Sequence, residues 1–244
     1  MFLKSRIFCL MFAICSAMAS FAEDQTPIFF IQKLKRTELV GILGQAPEDG
    51  AIPGYHGIYA FQSANFPPRT RYTLYAQGLG QRKRKLLNCI ANDEGILQYR
   101  KEKQYYPLSL ALQGLGNFMP GEPIEFILTS HKIELKTKVI PNSLEAIDYE
   151  GRKVSMEIVT PDCSFYGIEL TNFKPNEEIT ITSKSGAEVM RHNITVSKLG
   201  TMNGGMHPAV IGQKKGVATL EIHPVTSENV LTIHYEWGPL YGSK

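Results

Sequence analysis

The side chains of this sequence that could bind a soft metal are gathered in one glycine-rich stretch. Residues 200–208 bring together Met202, Met206 and His207. Thioether and imidazole groups suit Cu(I), so a periplasmic copper-binding protein is one function that this stretch favours. The same stretch lacks a strand pattern, which predicts a mobile loop between strands. A loop of this length is also where we expect a binding surface.

Hydrolytic chemistry would need an activated serine or cysteine, and none stands in a known motif. The sequence has no Gly-x-Ser-x-Gly and no glycine-rich phosphate loop. Cys163 follows Pro161 and Asp162 and lacks the sequence setting of a nucleophilic cysteine. Because a triad is defined by geometry and not by order along the chain, a secreted hydrolase with a Ser- or Cys-based site remains an alternative. We predict no cofactor.

A run of consecutive cations is the most strongly charged feature of the chain. It consists of Arg82, Lys83, Arg84 and Lys85, and Arg100, Lys101 and Lys103 follow further on. Such a run could bind an anion such as a sulfated glycan or a lipid headgroup. It could equally be the solvated end of a hairpin, where charge discourages pairing of strand edges. Aromatic residues do not interleave with it for base stacking, so we expect no nucleic-acid partner.

The first 22 residues have the pattern of a secretory signal peptide. A basic start with Lys4 and Arg6 precedes the apolar residues 7–19, and the small residues Ser20 and Ala22 stand at the positions that signal peptidase reads. The apolar run is shorter than the roughly 20 residues that span a bilayer. We therefore predict an exported protein, periplasmic or extracellular, whose mature chain has no membrane span. Loss of the leader also brings the net charge of +3 close to neutral.

Of the 4 cysteines, only Cys89 and Cys163 lie outside the leader. In an oxidising compartment these two residues could form a single disulfide. They could also be two separate buried thiols, each packing as a small hydrophobic residue. The sequence leaves both alternatives open.

Alternation of apolar and polar residues predicts an all-β chain. The alternating runs are rich in Ile, Val, Thr, Tyr and Phe, and each run places its apolar residues on one face of a strand. The clearest are residues 71–75, 124–129, 133–139, 153–159, 178–182, 216–222 and 230–235. Residues 28–31 and 38–43 are further candidate strands. Residues 108–115 fit a strand or a helix, although Gly114 and Gly116 disfavour a helix.

The tetrapeptide Asn-Phe-x-Pro occurs three times at nearly even spacing, beginning at Asn65, Asn117 and Asn172. A predicted strand precedes and follows each copy, so we interpret the motif as a strand-connecting corner with a buried phenylalanine and a φ-fixing proline. The corner residues are Phe66, Pro68, Phe118, Pro120, Phe173 and Pro175. Each unit also contains a second turn ending in Gly95, Gly151 or Gly216, and the whole pattern is a threefold degenerate repeat.

The later corners, Phe118-Met-Pro-Gly-Glu122 and Phe173-Lys-Pro-Asn-Glu177, resemble a turn of immunoglobulin-like β-sandwich modules in bacterial exported proteins. The resemblance covers the turns and the strands beside them, and the first corner lacks the glutamate. It implies tandem immunoglobulin-like units packed together, which usually bind or space rather than catalyse. We expect a signal peptide at 1–22 and units at 23–104, 105–158 and 159–244, with the alternative that the last two units form one domain. The favoured function is a non-catalytic binding protein with a protein or glycan partner.

Overall fold

A computed structural model describes residues 26–43 and 55–239 of the chain, and these residues are nearly all β. The predicted fold class is confirmed. The predicted leader lies outside the described residues. The elements are β1 Ile28–Lys33, α1 Arg36–Leu43, β2 Tyr55–Ala64, β3 Arg71–Gly78, β4 Arg84–Ala91, β5 Leu97–Lys101, β6 Gln104–Pro107, β7 Gln113–Gly116, β8 Ile124–Thr129, β9 Glu134–Val139, β10 Leu144–Ile147, β11 Lys153–Ile158, β12 Tyr166–Thr171, β13 Glu178–Ser185, β14 Glu188–Thr195, β15 Met202–Met206, β16 Gly216–Pro224 and β17 Leu231–Trp237.

The chain forms two compact units. The first contains the described residues up to Tyr75 together with Lys85–Gly116 and Ile127–Thr137. The second contains Ala76–Arg84, Asn117–Phe126 and the described residues from Lys138 onward. The finer division into repeats ending at residues 104 and 158 stays a prediction. Within the described ranges, no helix is both long and apolar enough to cross a bilayer.

The second unit is a sandwich of two four-stranded antiparallel sheets, β10-β11-β12-β15 and β14-β13-β16-β17. The chain leaves the first sheet after β12, forms the β13-β14 hairpin in the second, returns for β15, and ends with β16 and β17. These crossings between sheets are those of an immunoglobulin-like sandwich. The apolar side of each strand, including Val154, Leu170, Leu220 and Trp237, is buried between the sheets.

The first unit contains the three-stranded sheet β1-β2-β7, and most of its other strands belong to a six-stranded sheet with the order β6-β5-β4-β3-β8-β9. Alternation decides which side of these strands is buried. On β3, Tyr72 and Leu74 are buried, whereas Arg71 is exposed and Thr73 is half-buried. The same strands therefore have one apolar face toward the interior and one polar face toward solvent.

Two predicted strands are wrong. Residues 38–43 belong to helix α1, which begins after Lys35 because the Glu38 carboxylate accepts the backbone N–H of Lys35 at 2.6 Å, as in a capping box. Leu39 is buried against Leu34 and Ala60, which gives the short helix its packing. The strand that we expected before the second Asn-Phe-x-Pro corner, at residues 108–112, is not formed either, because Leu108–Leu110 form a 3-10 turn and the strand begins afterward at β7.

The three asparagine corners have the same backbone conformation. Asn65, Asn117 and Asn172 have φ of 62°, 59° and 63°, in the left-handed region that asparagine tolerates better than other side chains. The residue after each proline is also left-handed, with φ of 59° at Arg69, 81° at Gly121 and 58° at Asn176. Proline followed by a positive φ is the requirement of a type II turn, so each corner combines a left-handed asparagine with a proline turn.

Glutamate closes the second and third corners but not the first. Glu122 Oε2 accepts the N–H of Met119 at 3.1 Å, and Glu177 Oε2 accepts the N–H of Lys174 at 3.0 Å. In the first corner the equivalent donor position is Pro67, which has no N–H. A glutamate at Thr70 would therefore find no partner there, which explains why the sequence departs from the pattern.

Candidate binding surface

The basic residues found in the sequence surround the start of strand β4. Arg82 and Lys83 precede the strand, and Arg84 and Lys85 begin it. All four side chains are exposed. The position agrees with a hairpin end and leaves the charges accessible to an anion.

The second group of cations lies at the β5-β6 hairpin. Arg100 and Lys101 end β5, and Lys103 lies in the two-residue turn with Glu102. The φ angles of Glu102 and Lys103 are 51° and 72°, as in a type I′ turn, where asparagine and glycine are the usual residues. Strain of this kind often persists at functional loops.

Strand register brings residues from β3, β4, β5 and β6 into one row on the solvent face of the first unit. Tyr105 on β6 pairs directly with Arg100 on β5. Asn88 on β4 comes one residue before Cys89, the partner of Tyr99, and therefore lies beside Arg100. The hydroxyl of Thr73 on β3 donates to Asn88 Oδ1 at 3.4 Å. We call these four residues, Thr73, Asn88, Arg100 and Tyr105, the polar row.

The opposite face of the same strands holds the row in place. Leu74, Cys89 and Leu97 are buried beneath it, and burial raises the pKa of the Cys89 thiol to about 12. Tyr99 and Tyr106 also pair on this side, with ring centroids 5.9 Å apart. A rigid apolar base under polar side chains fixes their spacing before any partner binds.

The polar row offers a flat set of hydrogen-bonding groups and one aromatic face. Asn88 and Arg100 are exposed, and Tyr105 is 54% exposed. A guanidinium group donates to carboxylates, sulfates and carbonyl oxygens. A tyrosine adds an amphipathic ring with little rotamer freedom to lose. Sequence reasoning identified Arg100 as a charge but missed Thr73 and Asn88, whose only signal is their alternation with Leu74 and Cys89.

The stretch that contains the candidate copper ligands is a strand, so the prediction of a mobile loop at residues 200–208 was wrong over Met202–Met206. Met202–Met206 form β15, which pairs with β12 over its whole length. Glycine at positions 204 and 205 hides the alternation, because neither residue has a side chain to mark a face. Gly205 stands against the ring of Phe165, which occupies the space where a Cβ would be.

Two of the three side chains proposed as copper ligands have protein partners. Met206 is buried, and its sulfur accepts the hydroxyl of Tyr235 at 3.4 Å. The Nδ1 atom of His207 lies 3.0 Å from the carbonyl oxygen of Ser164, and its ring lies 4.6 Å from that of Phe165. Met202 is half-buried at the other end of β15. Among the described residues, no group of three or more His, Cys, Asp or Glu side chains could hold a metal ion.

Residue types of a hydrolase triad meet near Cys163, but their connections are those of a turn. The Ser164 hydroxyl donates to Asp162 Oδ1 at 2.8 Å, and the Ser164 N–H donates to the same carboxylate at 3.2 Å. His207 contacts the Ser164 carbonyl and not its hydroxyl. A triad requires histidine between the nucleophile and the carboxylate, so this cluster orders residues 160–165 instead.

The two cysteines outside the leader are both buried. Cys89 lies on β4 of the first unit, and Cys163 lies in the connection after β11 of the second unit. Of the two alternatives that the sequence left open, the structure has separate buried thiols and not a disulfide.

Comparison with known proteins identifies no family. No protein-family model and no curated protein matches the chain. Among solved structures, a tetra-tandem repeat from the extending region of a large adhesion protein is similar, with 9% identity over 87% of this chain and a TM-score of 0.26. The chain spans 49% of that structure. A two-domain fibronectin type III segment of chicken tenascin has 11% identity over 77% of this chain and 95% of its own length, with a TM-score of 0.24.

Proposed function

We propose that this chain is an exported, non-catalytic binding protein, and that the polar row of the first unit is its binding surface for a protein or glycan partner. The observation that carries the proposal is the row itself. Tyr105, Arg100 and Asn88 lie side by side on three neighbouring strands, and all three side chains are exposed. Exposed polar and aromatic groups on a rigid sheet suit recognition better than they suit catalysis.

The surroundings of the row favour a partner with negative charge. Lys85, Lys101 and Lys103 are exposed near the ends of the same strands, and Glu102 is the acid between them. Exposed charges of one sign raise the association rate of an oppositely charged partner and make binding sensitive to salt. An acidic glycan or an acidic protein surface satisfies this condition.

The rest of the chain supports an exported interaction module. We propose that residues 1–22 direct export to the periplasm or the cell exterior and are then removed. The repeated corners would make the remaining units a stable spacer that presents the polar row away from other surfaces. The spacer role of the repeats follows from the resemblance of the corners to those of immunoglobulin-like modules.

The proposal is tested by binding of the mature chain to an array of neutral and acidic glycans and by capture of protein partners. The double variant Arg100→Ala and Tyr105→Ala should weaken binding at least about tenfold, because central Arg and Tyr residues dominate interfaces. Tyr149→Ala is the matched control, since Tyr149 is 81% exposed and lies in the other unit. Equal binding by the double variant, or chemical conversion of the captured partner, would overturn the proposal.

A further inference from the structure

Strand β14, Glu188–Thr195, lies at the end of its sheet with an open outer edge. It pairs with β13 over its 8 residues, and the sheet order gives it no second neighbour among the described residues. Its side chains are exposed except for Ile194, which is half-buried. Val189 and Met190 are 60% and 46% exposed, so the strand presents apolar side chains beside unpaired backbone groups.

The turn before β14 determines which backbone groups point outward. Gly186 has φ of 56° and, with Ala187, forms a two-residue hairpin turn of the type that places glycine first. Such a turn closes on a hydrogen-bonded pair, here Ser185 and Glu188. Along the antiparallel ladder, hydrogen-bonded pairs then alternate with non-hydrogen-bonded pairs. The N–H and C=O groups of every second residue therefore point away from β13. These residues are Val189, Arg191, Asn193 and Thr195.

Most of the features that usually protect a sheet edge are lacking in β14. Its register with β13 is continuous, so no bulge bends the edge away, and it contains no proline or lysine. Its fixed charges are Glu188 at one end and Arg191 near the middle. A long, regular and partly apolar edge of this kind is a template for another strand.

We propose that β14 of a second copy of this chain pairs antiparallel with this edge, so that the two sheets become one continuous sheet across a two-fold axis. Residues whose backbone N–H and C=O groups point away from β13 must pair with one another across the two copies. Val189 therefore lies opposite Thr195, and Arg191 lies opposite Asn193. His192 then faces His192 of the second copy on the axis. Met190 faces Ile194, an apolar pair on the core side of the sheet. A two-fold axis makes each of these contacts occur twice.

Complementarity selects this register over its neighbours. A shift that centres the axis on Arg191 would place two guanidinium groups directly opposite each other, which is destabilising. Shifts that centre on Met190 or Asn193 pair only part of the strand and leave outward backbone groups without partners. With the axis at His192, residues 189–195 all pair, and β-branched and apolar side chains face each other.

A cysteine on the proposed axis tests both the dimer and its register. His192→Cys should form a disulfide between copies under mild oxidation, because opposite residues in a non-hydrogen-bonded pair lie about 4.5 Å apart at Cα, within disulfide reach. Met190→Cys is the matched control, since it would face Ile194 and not itself. In the mature chain, the native residues Cys89 and Cys163 are buried and do not compete. A failure of His192→Cys to cross-link, or equal cross-linking by both variants, would overturn the register.

Sedimentation over a wide range of concentration tests the association without a new cysteine. Arg191→Pro removes one outward N–H and no hydrogen bond to β13, and His192→Lys places two fixed positive charges face to face. Both variants should be monomers, whereas the controls Arg191→Ala and His192→Gln should dimerise like the original chain. His192→Lys keeps the test valid if the proline variant fails to fold. The proposal would be contradicted if the original chain were monomeric at every concentration, or if the His192→Lys variant still formed a dimer.

Discussion

The backbone N–H of Phe173 donates to the carbonyl of Gly200 at 3.0 Å, and the same bond joins Phe66 to Gly95 at 3.0 Å. In both places the glycine ends a tight turn, with φ of 70° at Gly200 and 74° at Gly95. The corner and the turn therefore form one structural unit that occurs in each compact unit of the chain. Gly216, which the sequence pattern aligned with Gly95, begins a strand instead, and Gly200 has the corresponding position.

Replacing these glycines should destabilise the fold by different amounts. A Cβ at Gly200 would lie 2.0 Å from the Phe173 carbonyl oxygen, whereas at Gly95 the nearest atom is 3.0 Å away. Gly212→Ala measures only the cost of a left-handed backbone conformation for a residue with a side chain, because φ is 81° at Gly212 and an added Cβ would have no neighbouring atom within 4 Å. We expect losses in the free energy of unfolding of about 1–2 kcal/mol for Gly212→Ala and Gly95→Ala and about 3 kcal/mol or more for Gly200→Ala. Urea unfolding measures all three, and equal values would contradict the role of the corner contact.

A buried arginine joins three segments of the second unit. Arg152 is 1% exposed. Its Nε atom lies 2.7 Å from Asp148 Oδ2, and its guanidinium also contacts Glu177 Oε1 at 3.2 Å and Glu150 Oε1 at 2.9 Å. Glu177 is the glutamate of the third corner, and it also accepts the hydroxyl of Thr226. The network therefore ties that corner to the β10-β11 turn and to the segment after β16.

Removing the cation should leave two buried carboxylates without a counter-charge. We expect Arg152→Met to lower the free energy of unfolding by about 3–5 kcal/mol. Lys153→Met is the control, because the Lys153–Glu145 ion pair at 2.6 Å is one-third exposed, and such pairs contribute at most about 1 kcal/mol. Thermal and urea unfolding measure both. Similar losses in the two variants would mean that the buried network contributes no more than a surface pair.

Acid should weaken the same network. Burial raises the pKa of Asp148 and Glu177, but hydrogen bonds and the charge of Arg152 outweigh burial and hold both pKa values below the ordinary range. Because the folded-state pKa is the lower one, the stabilisation is fully present at neutral pH and is lost as the pH falls below about 4 and through the depressed pKa values. Unfolding measured from pH 7 downward should show this loss, and Arg152→Met should show a shallower slope. An unchanged slope in the variant would contradict the assignment.

Alternation was a sufficient guide where one side of a strand is buried and the other is polar. It identified β11 and β13 because Val154, Met156, Ile179 and Ile181 face the core at every second position. It failed for β14, which is exposed on both sides, and for β15, whose central residues are glycines. Alternation also led us to predict a strand where helix α1 lies, because the 8 residues of the helix are too few to show a clear helical period.

The polar row shows the limit of sequence reasoning about the site. Asn88 and Arg100 become neighbours through the register between β4 and β5, which the turn at residues 92–95 determines. Within that turn, Asn92 Oδ1 accepts the N–H of Ile96 at 2.8 Å. The residue types alone do not specify this register. A shift of one residue would turn Asn88 toward the core and Cys89 toward solvent.

The strained position in the first corner is a site for stabilisation. Arg69 has φ of 59°, where the other two corners have glycine and asparagine. A left-handed conformation costs a side chain other than glycine about 1–2 kcal/mol, and glycine loses part of that gain through its freedom in the unfolded chain. Arg69→Gly should therefore raise the free energy of unfolding by about 0.5–1 kcal/mol. Arg69→Ala is the control, since it removes the exposed ion pair with Asp93 but keeps the strain, and it should give no increase.

Burial should make both cysteines unreactive until the chain unfolds. Cys89 and Cys163 are 4% and 2% exposed, and burial raises the pKa of Cys89 to about 12, so the reactive thiolate is scarce at neutral pH. Iodoacetamide should modify neither residue in the native mature chain. In urea without reductant it should modify both, because no disulfide has to be broken first. A sample unfolded with reductant is the control for complete alkylation, measured by mass spectrometry of peptides. Modification only in the reduced sample would mean that Cys89 and Cys163 form a disulfide and would overturn the assignment of separate thiols.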